Sequence, residues 1–149
     1  MITYNDLQWV GNYIAAGVSG ISMDLRNFGS SAIPIRIAIR EGSNGSSTPG
    51  YSSTTAFSLP ADGLWHSAFF SLDAGSLTPI NSPQSLSTDL RNVADFRILS
   101  SAHPATIGDI ISAKIGVDNI LAVPEPGTIV LLGPGVFGIG MLMRRRAAR

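Results

Sequence analysis

The chain has 149 residues, no cysteine and a formal charge of zero. That length holds one domain with its own core beside the C-terminal tail, and the lack of cysteine excludes a disulfide scaffold, a thiolate metal site and a cysteine nucleophile. Residues 1–122 carry six basic side chains (Arg26, Arg36, Arg40, Arg91, Arg97, Lys114) against nine acidic ones, a net −3, which argues against a nucleic-acid partner because that affinity comes mainly from Lys and Arg neutralising phosphates.

The opening stretch MITYNDLQWVGNYIAAGVSG has neither the charged n-region nor the apolar h-region of a secretory signal. Because the tail described below demands export, a signal peptide, with one or two strands, is expected upstream of Met1; a tail without any signal is the alternative. From Ser19 to Arg26 the residues alternate, with Ile21, Met23 and Leu25 on one face, which predicts a half-buried strand. Ile33 to Arg40 repeats this with four isoleucines inward and Pro34, Arg36, Ala38 and Arg40 outward. These two read as an antiparallel pair joined by a long loop, with Pro34 tolerated because it comes early in its strand. Residues 41–50, EGSNGSSTPG, predict a loop.

Tyr51 to Leu59 predicts a weaker strand, and Leu64 to Leu72 a strand central in its sheet, with Trp65 and Phe69 on one face and Leu64, His66, Phe70 and Leu72 on the other. Asp73 to Pro83 reads as loop, and Ser85 to Asn92 as a short helix with a serine cap and Leu86 and Leu90 four apart. Val93 to Ser100 and Ile115 to Leu121 complete six strands. The fold class expected is all-β, an antiparallel β-sandwich over residues 1–122.

Residues 123–149 are organised differently. Val-Pro-Glu-Pro at 123–126 precedes an uncharged run from Thr128 to Met143, then Arg144, Arg145, Arg146 and Arg149. With Val123 to Gly127 the run approaches the ~20 residues that cross a bilayer as a helix, although four glycines and Pro134 weaken it. One C-terminal transmembrane helix is therefore expected, with the arginines cytoplasmic and residues 1–122 on the far side. This tripartite tail resembles the PEP-CTERM sorting signal of Gram-negative bacteria, with Pro124, Glu125 and Pro126 as the signature triplet. The resemblance implies an exosortase as the processing partner and a mature form that is secreted or held at the cell surface.

The order of strands, the strand with Trp65 and the closing Gly116 to Ile120 more weakly resemble galactose-binding-like and carbohydrate-binding-module jelly rolls, with the opening strands missing. A jelly roll has about eight strands, and the stretch before Tyr13 reads as too thin to supply the first ones. Trp9, Tyr13 and Tyr51 are the candidate sugar platforms, since a pyranose can lay its C–H face on an aromatic ring; Trp65 reads as core. Asp118 and Asn119 are candidate ligands for a structural calcium ion; no other cofactor is expected. His66 and His103 show no catalytic spacing. The chain thus reads as a non-enzymatic exported protein of the surface or extracellular matrix. A carbohydrate-binding module for exopolysaccharide and an uncleaved membrane-anchored protein are the alternatives.

Overall fold

The computed structural model describes residues 1–5, 7–41 and 49–125. The loop at 42–48, the predicted span and Pro126, Arg144, Arg145, Arg146 and Arg149 lie outside the described residues. The described chain is mostly β: β1 (Ile2–Asn5), β2 (Val18–Asn27), β3 (Ile33–Arg40), β4 (Gly50–Ser53), β5 (Phe57–Leu59), β6 (Trp65–Ser71), β7 (Leu77–Ile80), α1 (Leu86–Arg91), β8 (Asp95–Ser100) and β9 (Ile115–Pro124). Every strand pairing is antiparallel. Among the described residues no helix is long and apolar enough to cross a membrane.

The larger sheet has the order β1-β8-β3-β4-β7, with β5 also on β3, and the smaller one is β6-β2-β9. Ile21, Met23, Leu25, Ala68 and Phe70 from the small sheet join Ile35, Ile37, Ile39, Phe96 and Ile98 from the large one in a single buried cluster. The alternation in β2 and β3 thus fixes which faces meet. The two strands do not pair with each other, contrary to expectation. Their connection passes from one sheet to the other, and the buried Asn27 organises it by accepting from Gly29 N (2.8 Å) and donating to the Ser31 carbonyl (2.8 Å).

Other departures have local causes. The stretch before Tyr13 does supply a strand, because Ile2–Asn5 completes the open edge of β8. The predicted strand over 51–59 is two, β4 and β5, which share one side of β3 in succession. β7 lies within the predicted loop, where Pro79 is tolerated because β7 is an edge strand, bonded to β4 alone. β6 is likewise an edge strand rather than a central one. The helix forms as read, with the Ser85 side chain accepting from Thr88 N and Leu90 buried.

The largest correction concerns the outer face of β3. Arg36, Ala38 and Arg40, expected in solvent, are buried. Asp95 on β8 stands opposite Arg40 and meets it at 3.3 Å, while also accepting from Arg97 Nε at 2.7 Å. The Arg36 guanidinium donates to the carbonyls of Ser53, Thr54, Ser101 and Ala102 at 2.7–3.0 Å, and Arg97 donates to that of Thr106 at 2.9 Å. The segment after β8 is thereby drawn over the sheet. Asp95→Ala removes a partner shared by two buried guanidiniums and should cost about 3–5 kcal/mol; a loss below about 1 kcal/mol in urea titration would show that the pair does not hold this layer together.

Candidate glycan face and sorting motif

The face of the small sheet that points away from the core carries alternate residues of three strands. β6 presents Trp65, Ser67 and Phe69 there, because Ala68 and Phe70 take the core side. β2 presents Gly20, Ser22, Asp24 and Arg26, and β9 presents Gly116, Asp118 and Leu121 opposite them. Trp65, expected in the core, is 48% exposed and Phe69 57%. Phe28, just beyond β2, is 49% exposed and lies under two cations, Arg26 at 4.8 Å and Lys114 at 5.6 Å from its ring centroid.

Two glycines shape this face. A Cβ built on Gly116 would stand 2.9 Å from the far edge of the Trp65 indole, and one on Gly20 would stand 2.4 Å from the Phe69 ring. Trp65 pairs with Arg26, which pairs with Gly116, so the indole reaches across β2 to the third strand. The tips of both rings therefore reach over neighbouring backbone, where a residue larger than glycine would displace them.

Asp24 sits among these rings. Its carboxylate accepts from Ser67 Oγ at 2.7 Å and from Asn119 Nδ2 at 2.7 Å. Asn119 reaches it because β9 bulges between its pairings with Ser22 and Asp24, placing Asn119 at φ +50°, a conformation asparagine tolerates better than most residues. These bonds, that from Asn119 first and that from Ser67 second, hold the Asp24 carboxyl below the usual carboxylate range against a small opposing effect of burial.

The residues singled out from sequence fall elsewhere. Tyr13 is buried, its hydroxyl donating to the Trp9 carbonyl at 2.9 Å, and burial pushes its phenol up to about 12. Tyr51 is buried with its hydroxyl on the Gln84 carbonyl at 3.0 Å. Neither offers a free ring face to a sugar. Trp9 is half-buried against Phe96, with ring centroids 5.7 Å apart. Asp118 accepts from Asn119 N at 2.8 Å and Asn119 donates to Asp24, so both serve the bulge; among the described residues no group of three or more His, Cys, Asp or Glu side chains is placed to hold a metal ion. Asp62 accepts from His66 Nε2 at 3.0 Å across the turn at Gly63.

The sorting triplet begins inside the sheet. Pro124 ends β9 opposite Val18, Glu125 N donates to the Gly17 carbonyl at 2.8 Å, and Ser19 Oγ donates to the Val123 carbonyl at 3.2 Å. The strand therefore runs past the predicted boundary at residue 122 with no intervening linker.

Residues 122–146 match the PEP-CTERM protein-sorting motif. The motif implies processing by an exosortase and export to the cell envelope or surface. No curated protein and no solved structure matches the chain.

Because Asp24 has a depressed folded pKa, whatever stability its bonds give is present above its unfolded pKa and is lost as pH falls through the folded value. A carboxyl NMR titration should place the Asp24 midpoint below the usual carboxylate range, and Asn119→Ala should move it up; an unchanged midpoint in that variant would remove Asn119 as the main cause.

Proposed function

We propose that this chain is a non-enzymatic protein of the cell surface or extracellular matrix, tethered by Thr128 to Met143 during export and then processed by an exosortase near Pro124, Glu125 and Pro126. The observation that carries this reading is the match of residues 122–146 to the sorting motif. In this arrangement Arg144, Arg145, Arg146 and Arg149 stay cytoplasmic and the β domain lies outside. A cut beyond Glu125 leaves β9 whole, whereas a cut before Pro124 would strip the bonds that join Pro124 to Ser19 and Glu125 to Gly17. The geometry therefore favours processing on the C-terminal side of Glu125.

The two sheets read as a jelly-roll-like sandwich. Support comes from the interleaving of strands distant in sequence, β8 between β1 and β3, and β2 between β6 and β9. A second reading, a carbohydrate-binding module for exopolysaccharide, is favoured by one observation: Trp65, Phe69 and Phe28 are exposed on or beside one sheet face that also holds Asp24. A structural calcium ion at Asp118 and Asn119 finds no comparable support.

The sorting reading is tested by the mass and fractionation of the protein expressed with an exosortase. The unaltered chain is expected to lose the mass of Thr128 to Arg149 and to leave the membrane fraction, and Glu125→Ala is expected to keep both. An intact tail in the unaltered chain would make this an uncleaved anchored protein.

A further inference from the structure

We propose that the outer face of the β6-β2-β9 sheet binds a neutral, extended glycan chain laid along β6 from Trp65 to Phe69, an inference that deepens the carbohydrate-binding reading above and rests on it. Trp65 and Phe69 are four residues apart on one strand face, which separates their Cα atoms by about 13 Å. A span of that length exceeds one sugar ring and suits an oligosaccharide of several residues better than one small molecule. The tip of each ring reaches over a glycine, Gly116 for Trp65 and Gly20 for Phe69, while about half of each residue stays exposed, so each platform is held against the sheet and has less rotamer freedom to lose on binding.

Between the rings the polar groups are already fixed. Asp24 uses one bond to each of Ser67 and Asn119, and a carboxylate offers about four lone-pair sites. Hydroxyl donors of a sugar can take the rest. Charge selects the class of ligand: Asp24 and Asp118 are balanced by Arg26 and Lys114, so the face has no net attraction for an anionic polymer, a nucleic acid or an acidic lipid.

Area argues against a second copy of the chain. Three strands with seven paired residues make a face of about 340 Å², well below the ~800 Å² each partner contributes to a stable interface. Direction argues against the membrane. The chain leaves β9 at Pro124, beside Val18, while Ile115 pairs with Asn27 at the opposite end, where Trp65 and Phe28 lie. With the tail in the bilayer, the indole end of the face points outward.

The test is affinity electrophoresis of the full chain in detergent, through gels containing hydroxyethyl cellulose, xylan, galactomannan or arabinogalactan, with dextran sulfate as the anionic control. Retardation is expected in at least one neutral gel and not in dextran sulfate, with Trp65→Ala and Phe69→Ala each weakening it about tenfold. Glycan-induced change in tryptophan emission should vanish in Trp65→Ala and persist in Trp9→Phe. Both platform rings are exposed, so unchanged circular dichroism is expected to show that the variants fold. Retardation in none of the neutral gels, retardation of both variants as strong as that of the unaltered chain, or retardation by dextran sulfate would overturn the proposal, as would a dimer that Trp65→Ala dissolves. A tail that is never cut would sink the sorting reading and leave this binding result standing.

Discussion

Asp95, held between Arg40 at 3.3 Å and Arg97 at 2.7 Å, is the contact on which the arrangement of layers depends. A sheet with a core on one side usually leaves its other side to water. Here β3 and β8 are buried on both sides, and the second side is built from charge. A buried ion pair is a weak source of net stability, since desolvation offsets most of its attraction. What it supplies is orientation. Guanidiniums fixed at the sheet surface present donors in set directions, and Arg36 spends its donors on four backbone carbonyls, those of Ser53 and Ser101 in buried bonds and those of Thr54 and Ala102 in part-buried ones.

That covering determines where a ligand can go. With β3, β4 and β8 of the large sheet closed on both sides, a broad open face is left to the small sheet, and β2 runs through its middle. The same strand gives Ile21, Met23 and Leu25 to the core and Gly20, Ser22, Asp24 and Arg26 to the solvent side. Its period of two couples the two roles. A slip of one residue would bury Asp24 and lift the core out, so packing sets the register in which Asp24 meets Ser67. The bulge at Asn119 is the one local irregularity in this sheet that serves the face rather than the core.

Much of this was legible in the sequence, for reasons that differ by element. The alternation in β2 and β3, the serine cap of α1 and the order of triplet, apolar run and arginines are local patterns with direct physical meaning. Alternation reports sides, however, and does not report what lies on each. Arg36 and Arg40 sit on the side opposite the isoleucines as read, yet nothing nearby in sequence announces that Ser101 and Ala102 accept from Arg36 or that Asp95 meets Arg40. Trp65 was misjudged for a related reason. Large residues on both sides of β6 suggested a central strand, whereas the indole lies outside because Gly116, 51 positions later, leaves room for it. Tyr51 stands beside a loop in sequence but opposite Ile39 in the sheet, on the core side. The pairing of β2 with β3 failed because sequential neighbours usually pair but need not.

The junction between β9 and the sorting triplet joins these two levels. A flexible linker would let a processing enzyme reach its site whatever the domain was doing. Glu125 instead hangs from Gly17 by a backbone bond, one residue beyond a ten-residue strand that is itself half of the β2 pairing on that side. The end of β9 is an edge, bonded on one side only, so opening the last pairs at Val123 and Pro124 disrupts few contacts while opening the bulge at Asn119 would release Asp24 as well. Fraying from the Pro124 end is the low-energy motion available to such a strand. It frees Pro124 and Glu125 first and the outer face of the β6-β2-β9 sheet last, so that the sheet that carries Trp65 and Phe69 stays assembled while the end of β9 opens.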